Sequence, residues 1–243
     1  VKQDKLGSHT NRTYNQLEPA WSPDSKWLSY VATLPNTVSA IYLFQLDKEL
    51  HTQITDGMSN ASNPSFSRDG KYLFFMASTD VGLTNSGLHM SAYQRRVNYS
   101  AYALVLSKKT ASLYKTESDE ETVKADEPAT PKKEESKKEN KKDAKSTTSA
   151  ATPKPAETKR PIEVDLDDLS SRILALPLLT GLSSLDGSVD GHLLFIRNGE
   201  LNTLELNKME TKLLVSNIGS VNVSGDGKNM MFSLRGGYHI VPA

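Results

Sequence analysis

The sequence predicts an all-β fold, a β-propeller made of four-stranded antiparallel blades. Three observations support this prediction: a turn motif that occurs four times, a short apolar run directly after each turn, and further strand patterns after the runs. Four short strands in a unit of about 40 residues are typical of a propeller blade. We expect an incomplete arc of about four blades, interrupted by a long disordered loop.

The turn motif has the form Ser-x-Asp-[Gly/Ser]-[Lys/His]-x-[Leu/Met]. Serine and aspartate side chains hydrogen-bond to the backbone in turns, and glycine tolerates the positive φ that tight hairpins require. Because a repeated turn serves the architecture, we interpret its four aspartates as structural turn residues. They are Asp24, Asp69, Asp190 and Asp226.

The run that follows each turn is short, rich in β-forming residues and bounded by turn residues, which favours a strand over a helix. Because the apolar residues are continuous, these strands are predicted to be buried on both faces. The runs are residues 28–31, 73–76, 193–196 and 230–233.

Further strands complete the units. Residues 40–46 and 51–55 follow the first run, and residues 200–206 and 211–215 follow the third run. In the second blade, residues 102–107 are predicted as the third strand and residues 170–176 as the fourth. The last unit has three predicted strands at 220–224, 229–234 and 238–241.

The predicted strands make three complete blades and a fourth blade of three strands, which allows two alternative architectures. One is a four-bladed ring completed by a strand from the N-terminus, and the other is an arc cut from a larger ring. Residues 1–12 are polar and form a poor strand pattern, which favours the arc. The first residue is Val1, which suggests a piece of a longer protein.

A charged segment divides the chain. Residues 117–160 contain 11 acidic and 11 basic side chains, four prolines and no aromatic residue. Such a segment buries too little apolar surface to offset its ordering entropy, so it is predicted to be disordered. The predicted organisation is therefore residues 1–116 for blade one and part of blade two, the linker 117–160, and residues 161–243 for the remainder. A second insertion is expected around residues 79–98.

Composition excludes several classes of protein. The chain has 29 basic and 29 acidic residues among 243, so its net charge gives no reason to expect nucleic acid as a partner. Cysteine is absent, which excludes disulfides and thiolate metal sites. No apolar stretch is long enough for a membrane span, and none near residue 1 has the pattern of a signal peptide.

Several segments carry a family resemblance. The stretch Pro19-Ala20-Trp21-Ser22-Pro23-Asp24 resembles the propeller repeat shared by the translocation protein TolB and tricorn-type proteases. The second propeller of tricorn protease homologues is similar to a longer part of the chain. That part comprises residues 104–108, an acidic run at 117–121, the charged linker and residues 162–177. Residues 235–241 resemble the end of that propeller.

This resemblance implies part of a large serine peptidase related to the C-terminal-processing proteases. In that family the catalytic serine and histidine lie in domains after the propeller, so no catalytic residue is assigned here. The implied partners are a peptide or unfolded protein substrate and the remaining domains of the parent, with a homo-oligomer as a possibility and no cofactor. Family members place the parent in the cytoplasm, with the periplasm as the alternative.

The other candidate groups in the sequence have ordinary structural interpretations. No Gly-x-Ser-x-Gly elbow occurs, and the five histidines do not accompany a nucleophile. The acidic residues Asp165, Asp167 and Asp168 alternate with apolar residues rather than forming a calcium loop, so no metal site is predicted. The paired lysines of the linker are interleaved with acid, as in a solvated tether.

Arg95 and Arg96 lie in the second insertion between Tyr93 and Tyr99. Arginine can hold a peptide carboxylate through two hydrogen bonds, so this pair is a candidate peptide-binding site, against the alternative of a surface salt bridge.

Three functional hypotheses remain. The chain is a non-catalytic propeller part of a tricorn-like serine peptidase that gates peptide access, a stand-alone TolB-like protein-binding scaffold, or an enzyme with its site in the propeller channel. A serine-bearing α/β domain downstream would support the first hypothesis. The third requires channel-facing clusters of histidine and carboxylate, and the sequence shows no such pattern.

Overall fold

The computed structural model describes five stretches of the chain, residues 17–36, 38–80, 97–114, 161–234 and 236–243, without the side chains at 177 and 178. The chain divides into two units, residues 1–113 with 159–243, and residues 114–158. All described strands belong to the first unit. The predicted disordered linker 117–160 lies outside the described residues, so its disorder stays a prediction.

The first unit is all-β, as predicted. Its fifteen strands form four separate antiparallel sheets in a four-bladed propeller arrangement, and neighbouring strands in each sheet follow the order of the sequence. The one helical element among the described residues is a short 3-10 turn, Leu169–Arg172. The described residues contain no helix long and apolar enough to cross a membrane.

Blade one begins with a very short strand and continues in three longer ones. Its strands are β1 (Ala20–Trp21), β2 (Trp27–Thr33), β3 (Ser39–Gln45) and β4 (Leu50–Gln53). Residues 28–31 lie inside β2, which is buried along nearly all its length. The predicted strands at 40–46 and 51–55 correspond to β3 and β4.

Blade two contains the long interruptions. Its strands are β5 (Asn60–Phe66), β6 (Tyr72–Ser78), β7 (Ser100–Val105) and β8 (Ile173–Thr180). The β6–β7 connection contains residues 79–99, and the β7–β8 connection contains the charged linker. The predicted start of the fourth strand at residue 170 was wrong. A 3-10 turn precedes β8, because Asp168 adopts a left-handed conformation with φ 53° and turns the chain.

Blade three has four strands and blade four has three. The strands of blade three are β9 (Leu182–Asp186), β10 (His192–Arg197), β11 (Glu200–Glu205) and β12 (Glu210–Ser216). The strands of blade four are β13 (Ile218–Val223), β14 (Asn229–Leu234) and β15 (Gly237–Pro242).

The core lies between the blades. Side chains of a strand alternate between its two faces, so Phe74 on β6 packs toward blade three while Phe75 packs toward blade one. In the same way Phe195 faces blade two, and Leu194 faces the cluster shared with blade four. Burial of each large apolar side chain stabilises the fold by about 1.5–3 kcal/mol. In blades two and three, each continuous apolar run therefore packs against the neighbouring blade on both sides.

Blade four departs from this pattern. Met230 and Phe232 are buried against blade three, but Met231 is 36% exposed, and Tyr238 and Ile240 on β15 are 75% and 72% exposed. The prediction that residues 230–233 are buried on both faces was therefore wrong. Among the described residues no sheet covers the second face of blade four.

Candidate functional site

The antiparallel sheets give the first unit two ends with different connections. Connections between first and second strands, and between third and fourth strands, lie at one end of each blade. We call this the turn end, because it carries all four Ser-x-Asp turns. The opposite end, called the loop end, carries the connections between second and third strands and the crossings from blade to blade.

The turn of blade two shows how the motif works. The Ser67 hydroxyl donates a hydrogen bond to the Asp69 carboxylate at 2.7 Å and accepts one from the Tyr72 N–H at 2.9 Å. Asp69 also accepts from the Lys71 N–H at 3.1 Å. Gly70 has φ 70°, in the left-handed region that glycine adopts without strain. Two side chains thus satisfy the backbone donors where the hairpin reverses.

Blades one and four repeat this geometry, with Ser22 donating to Asp24 at 2.6 Å and Ser224 donating to Asp226 at 2.5 Å. Blade three is built differently. The His192 Nδ1 atom lies 2.8 Å from the Asp190 carbonyl oxygen, while the Ser188 N–H donates to the Asp186 carboxylate at 2.8 Å. Asp190 therefore occupies the repeated position without the serine–aspartate hydrogen bond of the other three turns.

These contacts change the pKa values of the turn carboxylates. Burial alone would raise the pKa of Asp69, but hydrogen bonds from Ser67 and Lys71 hold that pKa below its ordinary value. Burial also opposes the shift at Asp24, where hydrogen bonds from the Ile162 N–H and the Ser22 hydroxyl lower the pKa. At the solvent-exposed Asp226, the hydrogen bond from Ser224 is the main cause of a lowered pKa. All three carboxylates are thus stabilised in the ionised form.

Arg68 connects three blades at the turn end. Its backbone N–H donates to the Gly187 carbonyl of blade three at 3.1 Å, and its guanidinium donates to the Gly225 carbonyl of blade four at 2.8 Å. Gly227 is close-packed here, because a Cβ atom at that position would lie 2.6 Å from the Ser188 carbonyl oxygen. The turns of blades two, three and four therefore pack directly on each other.

Residues 161–168 form a strap across the turn end of blades one and two. The Ile162 N–H donates to the Asp24 carboxylate at 2.8 Å, and the Ile162 side chain packs so closely on Gly70 that a Cβ atom there would clash at 2.6 Å. Val164 and Leu166 pack against the core cluster between the two blades. The strap thus seals this interface from one end.

The acidic residues of the strap have structural partners. The Asp165 carboxylate accepts from the Lys108 N–H at 2.7 Å and from the Ser107 hydroxyl at 3.3 Å, and Asp168 lies 3.8 Å from the Lys108 ammonium. The hydrogen bond from Lys108 is the main reason that the pKa of Asp165 is lowered. Within the described ranges no three carboxylate or histidine side chains group as metal ligands.

Arg172 fixes the end of the strap. Its guanidinium donates to the carbonyl oxygens of Val105 at 2.9 Å, Leu106 at 2.7 Å and Asp167 at 2.9 Å, and also to the Asp165 carbonyl. The 3-10 turn places Arg172 next to the end of β7, which is why one side chain reaches both segments. The strap is therefore attached to blade two by backbone acceptors.

A polar cleft opens at the loop end of blade two. It lies between Ser59, in the crossing from blade one to blade two, and Thr180 at the end of β8. Its volume is about 400 Å³. Ser78, Asp80 and Tyr102 are among the residues that line it. Asp80 is the one charged side chain among its described lining residues, so the cleft combines a carboxylate with hydroxyl groups.

The predicted peptide-binding residues Arg95 and Arg96 lie outside the described residues, so their role stays a prediction. Their neighbour Tyr99 is described. Its hydroxyl accepts a hydrogen bond from the Asn60 amide at 2.8 Å, and its carbonyl accepts from the Leu182 N–H at 3.1 Å. Tyr99 thus links the first residues of β5 and β9 to the chain directly before β7.

The described histidines have ordinary partners. His51 Nδ1 lies 3.0 Å from the Tyr30 hydroxyl, and the His239 ring stacks on Phe232 with ring centroids 5.6 Å apart. The described hydrogen bond of the His192 ring goes to a backbone carbonyl and not to a serine hydroxyl. His9 and His89 lie outside the described residues.

Sequence reasoning missed the cleft and the role of Arg172. The signal for the cleft is local: hydroxyl-bearing residues occur at the loop ends of β6, β7 and β8, as Ser78-Thr79, Ser100 and Thr180. A strand end needs no hydroxyl for packing, so their coincidence at one end indicates a polar surface. The Arg172 contacts could not be found this way, because they join segments separated by the long connection.

The four blades define the first unit as a β-propeller, and comparison with solved structures agrees. No protein-family model matches the sequence, and no curated protein matches it. The crystal structure of the tricorn protease is similar with a TM-score of 0.58 and 12% sequence identity, over 92% of this chain. TolB from Acinetobacter baumannii is similar with a TM-score of 0.49 and 18% identity, over 91% of this chain.

These similarities cover only part of each neighbour. The chain corresponds to 20% of the tricorn protease chain and 39% of the TolB chain. At such low identity the likeness to the tricorn protease establishes the fold and nothing finer.

Proposed function

We propose that this chain is the non-catalytic propeller part of a larger serine peptidase, in which it controls the access of peptides to a catalytic domain. The observation that carries the proposal is the similarity of the four blades to a part of the tricorn protease. The resemblance of residues 162–177 to the second propeller of tricorn homologues also supports it, because those residues form the strap, the 3-10 turn and the start of β8 rather than a repeated turn.

The construction of the first unit suits such a role. Continuous cores between the blades and the Arg68 bridge hold neighbouring sheets in fixed positions. A rigid frame can present a polar cleft at its loop end without any reacting groups of its own. Selection of peptides then depends on the shape and charge of the frame, and cleavage depends on another domain.

The test is a peptide-cleavage assay on the parent protease with and without residues 1–243. We expect removal of this region to change which peptides are cleaved, while a small unstructured peptide is still hydrolysed at a similar rate. Unchanged selectivity would contradict the gating role. If the parent gene encodes no peptidase domain, the gating role is excluded, and the chain is better explained as a protein-binding scaffold of the TolB kind.

The same proposal includes the compartment. By the family resemblance the parent functions in the cytoplasm, and the periplasm is the alternative. Cell fractionation followed by N-terminal sequencing of the parent distinguishes them, because export to the periplasm normally removes a leader segment.

A further inference from the structure

We propose that the cleft at the loop end of blade two binds the cationic end of a basic side chain, a guanidinium or an ammonium group, through the Asp80 carboxylate. This proposal rests on the proposed function, since it names the part of a peptide that the propeller recognises. The cleft has a volume of about 400 Å³, which is enough for one long side chain.

Among the described residues that line the cleft, Asp80 is the one that carries a charge. In the described part of the chain no lysine or arginine forms an ion pair with Asp80. Its carboxylate accepts a single described hydrogen bond, from the Asn98 N–H at 3.3 Å, to the oxygen Oδ2. The other carboxylate oxygen, Oδ1, has no described partner, so Asp80 retains capacity to accept hydrogen bonds from a ligand.

The position of Asp80 is fixed from both sides. Its own N–H donates to the Ser78 hydroxyl at 3.1 Å, directly after the buried strand β6. Asn98 is close to the start of β7, so the carboxylate spans the gap between two neighbouring strands of the sheet. Because the backbone of Asp80 is hydrogen-bonded to Ser78 and its carboxylate to the Asn98 N–H, part of the conformational freedom of this side chain is already lost before a ligand binds.

Five hydroxyl groups besides that of Ser78 line the same cleft, and none of these five makes a described hydrogen bond. They belong to Ser59, Thr79, Ser100, Tyr102 and Thr180. The Tyr102 ring is stacked on Phe75 with centroids 5.7 Å apart, which holds its hydroxyl in place. Each hydroxyl can accept a hydrogen bond as well as donate one.

This set of groups selects a particular ligand chemistry. One carboxylate and several hydroxyl oxygens match a cation with several N–H donors, and guanidinium carries five such donors and ammonium three. A ligand carboxylate would meet like charge at Asp80 and is disfavoured. A neutral amide of the same shape would lose the charge-assisted hydrogen bond.

The experiment is calorimetric titration of the full chain with a blocked pentapeptide, acetyl-Ala-Ala-Arg-Ala-Ala-amide. We expect saturable binding that is weakened at least about tenfold when citrulline, a neutral analogue of the same shape, replaces arginine. Lysine in the same place tests ammonium, and free arginine amide tests whether the peptide backbone is needed. Weakening at higher salt is expected because the Asp80 contact is ionic.

Two variants locate the site. Asp80→Asn keeps the shape and removes the charge, so it should weaken binding about tenfold, and Tyr102→Phe should weaken it severalfold while keeping the ring stack. Asp47→Asn is the matched control, since it removes the same charge from an exposed turn at the opposite end of blade one. Circular dichroism of each variant verifies that the sheets are intact.

Equal binding of the arginine and citrulline peptides, or equal weakening by Asp80→Asn and Asp47→Asn, would overturn the proposal. So would the absence of saturable binding to the full chain. These outcomes are separate from the gating test, because they are measured without the catalytic domain. A parent whose selectivity does not depend on the propeller would contradict the gating role and leave this binding result as it stands.

Discussion

At the residue scale, the phenylalanines in the strands after three of the repeated turns carry much of the packing. Phe74 and Phe195 are 0% exposed, and Phe232 is 7% exposed. Their strands β6, β10 and β14 follow the turns of three different blades. A phenylalanine in the strand after each of these turns thus fills an interface between neighbouring sheets.

We expect replacement of any of these phenylalanines by alanine to lower the free energy of unfolding by about 3–5 kcal/mol, because each leaves a cavity in a packed core. Chemical denaturation of the full chain measures the change. Tyr238→Ala removes an aromatic side chain that is 75% exposed and serves as the control. An unchanged unfolding midpoint in all three variants would contradict the blade register.

The turn aspartates make stability depend on pH. The pKa of Asp69 is lowered in the folded chain, so its contribution is present above the unfolded pKa of about 3.9 and is lost as the pH falls through the folded pKa. Asp69→Asn should therefore destabilise the chain most near neutral pH, and the difference from the wild type should shrink in acid.

Urea unfolding at a series of pH values between about 7 and about 3 measures this dependence. Asp47→Asn, an exposed aspartate without a described hydrogen bond, is the control for loss of charge alone. If the difference between Asp69→Asn and the wild type stayed constant down to acid pH, the carboxylate of Asp69 would not be the stabilising group.

Residue patterns in the sequence predicted most of the strand positions, and the reasons are local. A turn with Ser, Asp and Gly followed by continuous apolar residues leaves few alternatives to a hairpin and a buried strand. The failures are also physical. Met231 has the apolar character of a buried residue, but its exposure depends on whether another sheet covers blade four, and one strand cannot report that.

The strap is the distinctive part of the fold at the element scale. Its alternation of acidic and apolar residues was ambiguous in the sequence, because such a pattern is typical of a strand edge or a helix start. In the structure the apolar side chains face the core between blades one and two, and Asp165 caps the backbone after β7. The element is extended because its hydrogen bonds go to neighbouring segments instead of to itself.

We expect Arg172→Lys to loosen the strap, because ammonium cannot replace a guanidinium that reaches four carbonyl oxygens at once. The predicted loss is about 1–3 kcal/mol in the free energy of unfolding. Amide hydrogen exchange should also become faster at Asp165, whose N–H donates to the Leu106 carbonyl at 2.9 Å.

Arg197→Lys is the control for this variant. The Arg197 guanidinium lies 5.9 Å from the centroid of the Phe195 ring and makes no described hydrogen bond, so its replacement should leave exchange at Asp165 unchanged. Equal protection of the strap in Arg172→Lys and wild type would show that apolar packing alone holds it.

At the scale of the whole first unit, the repeated blades explain both its stability and the difference between its two ends. Each blade buries one or both faces against a neighbour, and the turn end is consolidated by Arg68 and the strap. The cleft lies at the opposite end, where the connections are free of the repeated turn. The sequence could predict the repeat, but the cleft depends on side chains brought together from three strand ends.

The measurement that tests the central claim most directly is peptide cleavage by the purified chain alone, followed by mass spectrometry of a mixed peptide library. The account predicts no hydrolysis, because the chain is proposed to select peptides and a separate domain to cleave them. Hydrolysis that disappears when one of the chain's own serines is replaced by alanine would contradict the account and assign catalysis to the propeller itself.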